Sequence, residues 1–192
     1  MIRQVGSTPN LLTLLRLFFI PFIIIAILDR RAELALALFI LAGLSDGLDG
    51  LLARLLHQRT KLGQYLDPIA DKLLLSSLFL VFSLTHHVAW RITVLVFSRD
   101  ILMLVVSAVL YITNTVRDLR PTLLGKLATA VQIGTLFFVL LNDISNARWI
   151  FVMKKVGLWS TIISTVLSGM HYMYVVGQRL RSPAAARHGT AA

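Results

Sequence analysis

Apolar runs about twenty residues long, enough to cross a bilayer as helices, alternate with short polar turns along this chain. The first run, LLTLLRLFFIPFIIIAIL, follows Pro9 and Asn10 and ends near Asp29. Pro21 inside it predicts a kink whose freed carbonyl a neighbour must satisfy. After the polar turn Asp29-Arg30-Arg31, a second helix is predicted over about 33–57, apolar first and polar toward its end. A basic connection with Arg59 and Lys61 leads to a third helix over about 64–84, with Pro68 in its second turn, close to the start where a lost donor costs least. Thr85-His86-His87 forms the next turn, followed by a fourth helix over about 88–113, the polar stretch NTVRDLRP and a fifth helix over about 122–141. Residues 142–156 are mixed and carry Trp149, Phe151, Lys154 and Lys155, the composition of an interfacial segment. A sixth helix is predicted over about 157–177.

This pattern predicts an all-α, polytopic integral membrane protein with six transmembrane helices. Residues 1–8 form a short polar N-terminus, 9–177 one six-helix domain and 178–192 a disordered cytoplasmic tail. Composition agrees: of 192 residues 57% are hydrophobic and 15% charged, and the mean hydropathy is +0.79, too apolar for a soluble domain. The absence of cysteine excludes disulfides and thiolate metal sites. No small-residue cleavage site follows a short apolar core, so a removable signal peptide is not expected. The net charge of +10 then reads as contact with anionic membrane lipid, not nucleic acid. Six spans put both ends on one side. With the ends inside, ten lysines and arginines fall on the cytoplasmic side and six on the other, so the positive-inside rule places both termini in the cytoplasm.

One stretch breaks the apolar pattern. Asp46, Asp49, Asp67 and Asp71 stand at spacings of three and four on either side of the basic turn. Those spacings stack side chains on one helix face, and two antiparallel helices can aim all four carboxylates at one point. Ionisable groups at bilayer depth mark a functional site. Four clustered acids repel unless cations neutralise them, and oxygen-only ligands suit hard ions such as Mg²⁺ or Mn²⁺. Salt bridges to Arg54, Arg59 or Lys61 could account for one acid pair but not for four acids on two stripes. Asp46, Asp49, Gly50, Ala53 and Arg54 form one continuous face of the second helix, and Gly63, Asp67 and Asp71 one face of the third. The small residues among them permit close approach of another helix or a flat ligand.

The order D-x-x-D-G-x-x-A-R, eight residues, then G-x-x-x-D-x-x-x-D resembles the signature of the CDP-alcohol phosphotransferase family, with no position missing. The opening PNLLTLLR is also similar to the family's bacterial glycerophospholipid branch, and the resemblance extends over about 9–177. It implies an active site between helices near the cytoplasmic face, in a bacterial inner membrane. There a CDP-linked lipid is attacked by an acceptor hydroxyl and CMP leaves. It further implies two divalent ions, Mg²⁺ or Mn²⁺, on Asp46, Asp49, Asp67 and Asp71, with Asp71 also the general base. Gly50, Arg54 and Gly63 would hold the CDP moiety, with Asn10, Thr13 and Arg16 of the first helix near nucleotide and metal. Arg99 and Lys126 match positions that bind the acceptor's phosphate, and the fourth helix matches the family's homodimer contact.

Other polar residues have plainer readings. Arg99 could pair with Asp100 for structural reasons, Lys126 and Arg54 could snorkel, and Asn10, Thr13 and Arg16 could cap and anchor their helix. His86 and His87 are expected to be solvated, on the side away from the acids, and His171 and Tyr172 to pack. For the acceptor, PNLLTLLR and GQYLDPIADK resemble phosphatidylglycerophosphate synthases, which use glycerol 3-phosphate. The stretch SRDILML with RPTLLGKLATAVQ is similar to CMP-forming cardiolipin synthases, which use phosphatidylglycerol. A second arginine usual in the first group is replaced here by Ser107 and Ala108. The expectation is glycerol 3-phosphate with CDP-diacylglycerol as donor. The rival from another class is a cation transporter, which explains the acids but not their company of Gly50, Ala53, Arg54 and Gly63.

Overall fold

The computed structural model describes residues 8–55, 61–112 and 123–181. Its elements are six helices: α1 Thr8–Leu28, α2 Ala32–Leu55, α3 Lys61–Leu84, α4 Trp90–Ile112, α5 Leu123–Ile144 and α6 Arg148–Arg181. The polar N-terminus, the basic connections around Arg59 and Arg117, and the tail beyond Arg181 lie outside the described residues. α3 begins three residues before the expected start, and α1 continues past Pro21.

One expected boundary is wrong. Residues 148–156, read as an interfacial segment, are the opening turns of α6, which is continuous for 34 residues. Nothing in that stretch breaks a helix, and the link from α5 is only the three residues Ser145, Asn146 and Ala147. Gly157, expected to start the helix, lies inside it. A Cβ there would come 2.9 Å from Thr135 Oγ1 and 3.3 Å from Thr135 Cα, so this glycine lets α6 close on α5. At 1.5 Å per residue α6 is roughly 50 Å long, well beyond a hydrocarbon core of about 30 Å.

Two helix ends carry the same device. Arg30 donates to the Ile27 carbonyl and Arg31 to Ala26, and at the end of α3 His86 donates to Ser83 and His87 to Phe82. These are paired 5→2 and 6→1 bonds, a Schellman closure. Arg30 and His86 take positive φ, 57° and 63°, where glycine usually stands.

The core gathers α1, α2, α3, α4 and α5 around Ile23, Phe79, Phe82, Leu78 and Leu136. α1 packs against both α2 and α3, α2 also touches α5, and α6 lies along α5 and α4. Between α5 and α6 runs a buried polar seam. Thr135 and Thr161 hydroxyls lie 2.9 Å apart, and Gln132 Nε2 donates to Thr165 Oγ1 at 3.4 Å. The outward faces are apolar, with Phe18, Leu123, Trp159 and Met170 exposed. Leu123–Ile144 and Arg148–Gln178 are long and apolar enough to cross a membrane by length and composition, and Leu15–Leu28 and Ala32–Ser45 are shorter apolar stretches. So large an exposed apolar surface suits a lipid environment.

Candidate active site

The acidic motif lies where expected along the backbone. Asp46, Asp49, Gly50 and Arg54 fall in the last turns of α2, and Gly63, Asp67 and Asp71 in the first turns of α3. The side chains of Asp46, Asp49, Gly50, Arg54, Gly63 and Asp67, and those of Asn10 and Thr13, lie outside the described residues. Asp71 is described. Its carboxylate accepts a hydrogen bond from Arg16 of α1, a salt bridge across the α1–α3 contact. The Arg16 side chain is 1% exposed and that of Asp71 41%. A guanidinium so buried has to be compensated, and its place on α1, which packs against both α2 and α3, explains why the sequence spends a charge on this oily helix. The pair holds the carboxylate in one orientation while leaving part of it accessible.

A second polar cluster joins α4, α5 and α6. Arg99 of α4 donates through one terminal nitrogen to Asp100 Oδ1 at 2.7 Å, and through the other to Ser168 Oγ of α6 at 2.9 Å and the Gly125 carbonyl of α5 at 3.3 Å. Arg99 and Asp100 are both buried. The guanidinium therefore ties three helices together, so the plainer reading of this residue, pairing with Asp100, describes its geometry. Its Nε is buried with no partner. Lys126 follows Gly125 and is exposed, so the structure brings the two basic positions expected for an acceptor phosphate to one end of α5. Sequence reasoning passed over Lys72, which stands beside Asp71. It is partly buried. The signal was there to read, as a lysine following the last motif acid and opening an apolar run.

His87 corrects an expectation. It is not simply solvated: its Nε2 lies 3.3 Å from Asp143 Oδ1 and its Nδ1 2.8 Å from Thr85 Oγ1, with Phe82 edge-on to the ring. These contacts fasten the α3–α4 turn to the end of α5. His86 is exposed. Tyr172 packs on Met103 and Val106, as expected.

The donor set fits hard divalent cations, since four carboxylates at helical spacing, one of them partly accessible, supply only oxygen. Among the described residues, no group of three or more His, Cys, Asp or Glu gathers elsewhere as a rival site.

The CDP-alcohol phosphatidyltransferase family model matches residues 7–167, which includes both motif helices, Arg16, Asp71 and Arg99. The chain belongs to this family. It is 34% identical over 182 residues to the CDP-diacylglycerol–glycerol-3-phosphate 3-phosphatidyltransferase of Bacillus subtilis, covering 86% of this chain and 93% of that one. To the CMP-forming cardiolipin synthases of Homo sapiens and Rattus norvegicus it is 34% and 35% identical over 145 residues, 66% of this chain. The chain spans about half the length of these two mammalian relatives, 48% and 47%. CDP-alcohol phosphatidyltransferases are membrane enzymes that work with divalent metal ions, so the oxygen-rich motif and the apolar exterior have one explanation.

Proposed function

We propose that this protein transfers a phosphatidyl group from CDP-diacylglycerol to a hydroxyl of glycerol 3-phosphate, releasing CMP and giving phosphatidylglycerophosphate. The observation that carries this reading is the Asp71 carboxylate, accessible yet oriented by the buried Arg16, at the end of a complete eight-position motif. Asp71 takes the proton of the acceptor hydroxyl. The hydroxyl oxygen forms a bond to the phosphorus that bears the diacylglycerol, the pyrophosphate P–O bond breaks, and CMP leaves with its electron pair. A base for this step must be ionised and within reach of that proton. Two Mg²⁺ or Mn²⁺ ions on Asp46, Asp49, Asp67 and Asp71 would, when bound, neutralise the diphosphate. Gly50, Arg54 and Gly63, with Asn10 and Thr13 of α1, would hold the nucleotide, and Arg99 and Lys126 would attract the acceptor phosphate.

A second acceptor, phosphatidylglycerol, giving cardiolipin, is favoured by one sequence feature, Ser107 and Ala108 in place of a second arginine. The names of the human and rat relatives point the same way. The Bacillus relative, which the chain covers nearly end to end, supports glycerol 3-phosphate. In a membrane the six helices span as six segments with both termini cytoplasmic, in a bacterial inner membrane, and the exposed Ile101, Leu104 and Val105 of α4 serve a homodimer contact.

The test is purified protein in detergent with CDP-diacylglycerol and Mg²⁺, given glycerol 3-phosphate or phosphatidylglycerol in separate reactions. CMP with phosphatidylglycerophosphate is expected, and EDTA should abolish it until Mg²⁺ is restored. CMP with cardiolipin alone moves the protein to the second acceptor. No CMP with either acceptor from folded protein rejects the transfer, and metal-dependent cation flux in vesicles would then favour the transporter.

A further inference from the structure

We propose that the cavity at the end of the bundle opposite the acids binds the phosphate of an anionic phospholipid headgroup, with Arg30 and His86 as its donors. The site stands apart from the transfer reaction, because from Ala32 on its wall to Asp46, α2 runs about 20 Å at 1.5 Å per residue. Three segments far apart in the chain converge on it: the α1–α2 turn, the α3–α4 turn and the end of α5. Its volume is about 760 Å³, the size of a small-molecule site. Arg30 and His86 both line it. Among the described residues they are the two non-glycines held at positive φ, 57° and 63°. Left-handed backbone is costly for a residue with a Cβ, and glycine closes such helix ends without that cost. Strain of this kind gathers at ligand clamps. Here both instances stand on the wall of one cavity, and both residues bear nitrogen donors.

The charges on the wall select the ligand. Thr85 Oγ1 donates its one proton to the Val81 carbonyl at 2.9 Å, so at 2.8 Å it accepts from His87 Nδ1. His87 Nε2 faces Asp143 Oδ1 at 3.3 Å, and two lone pairs would meet there unless imidazole and carboxylate hold one proton between them. With that proton the pair has no net charge, and Asp143 has its partner. The remaining full charge among the described residues of the wall is Arg30, so the cavity favours an anion. The adjoining groove shares Arg30 and Asp143 and adds Arg31 and Glu33, one charge of each sign, which leaves that balance unchanged. Phosphate oxygens suit a guanidinium, which offers paired N–H donors, and an imidazole N–H adds another. Ile27, Leu28 and Leu140 form an apolar side, at the end of helices whose outward faces are apolar. A lipid-borne phosphodiester satisfies both sides, its chains continuing along the apolar surface, whereas free phosphate satisfies only one. The amides of Asn142 and Asn146 both donate and accept, which suits the hydroxyls of a glycerol head.

The experiment follows the melting temperature of the full-length protein in a nonionic detergent as phosphatidylglycerol, phosphatidylcholine or inorganic phosphate is titrated. Phosphatidylglycerol should raise it saturably for the wild type, and the other two much less. Arg30→Gly and His86→Gly each remove a donor and place glycine where the backbone favours it, so without lipid both should melt at or above the wild-type temperature. In Arg30→Gly the phosphatidylglycerol needed for half the rise should increase about tenfold or more, the scale of a lost charge-assisted bond. His86→Gly should show a smaller increase, and Arg30→Lys should recover part of the response. Arg30→Gln keeps the backbone strain, so the same loss there assigns the effect to the donor and not to the turn. Arg91→Gln removes an exposed cation at the start of α4, outside the cavity, and should respond as the wild type does. An undiminished rise in Arg30→Gly would place the lipid at the acids instead, and an equal loss in Arg91→Gln would leave only general surface charge. Either result overturns the assignment, as would no rise in the wild type, an equal rise with phosphatidylcholine, or an equal rise with inorganic phosphate alone.

Discussion

The Arg16–Asp71 contact shows how much one pair of side chains can decide. A general base has to be held within reach of the proton it takes, and the buried Arg16 guanidinium fixes the direction of the Asp71 carboxylate. Asp71→Asn should leave the protein folded, since an amide still accepts the Arg16 hydrogen bond, and lower CMP release by about a hundredfold or more, the scale of a lost general base. Arg16→Met should lower kcat by about tenfold or more through misplacement of that carboxylate, with donor and acceptor KM little changed, and Arg16→Lys should recover part of the loss. Steady-state kinetics on the three variants checks this. Equal kcat in Arg16→Met and wild type would leave Arg16 with an anchoring role only. Asp71 was readable from its spacing to Asp67. Arg16 was readable as a polar residue of the first helix that the resemblance puts near nucleotide and metal, but its pairing with Asp71 was not, because 55 positions separate the two.

At the scale of elements, α5 and α6 are held by small and hydroxylated residues where a soluble bundle would use leucine. Helices in lipid gain little from burying more hydrocarbon, so close approach and hydrogen bonds such as Thr135–Thr161 and Gln132–Thr165 carry the association. At Gly157 the two helices come close, since a Cβ there would meet the Thr135 Cα at 3.3 Å. Gly157→Ala would gain up to about 1 kcal/mol of helix propensity. It would cost about 1–3 kcal/mol of overpacking, because the Thr135 backbone at 3.3 Å cannot rotate away as its hydroxyl can. The net expectation is a loss of about 1 kcal/mol, measured as a lower melting temperature in detergent, and an unchanged or higher value would mean that α6 shifts freely along α5. The start of α6 was misplaced from sequence for the same reason. Read alone, Gly157 looks like a boundary, and only its contact with Thr135 shows it as a packing position.

For the whole molecule the exterior is apolar like the core, and buried polar groups such as Arg16, Arg99, Asp100 and Gln132 gather at the helix contacts. The orientation across the membrane has its own test, because the chain has no cysteine and single cysteines can be added. His86→Cys, in an exposed turn away from the acids, should react with a membrane-impermeant maleimide in intact cells. Arg181→Cys, at the end of α6, should react only after permeabilisation. The reverse pattern would place the acidic motif on the outer face.

The sequence by itself determined the six helices, the acid spacing and hence the chemistry, because hydrophobic period and motif spacing are local properties that a chain carries before it folds. It also separated the two helices that bear the acids from the rest. Tertiary structure alone decided which charges cancel. Arg16 found Asp71, Arg99 found Ser168 and Gly125 beyond its neighbour Asp100, and His87 found Asp143. Pairing at bilayer depth depends on which helix faces meet, and interhelical contact joins residues far apart in the chain, where no periodicity reaches.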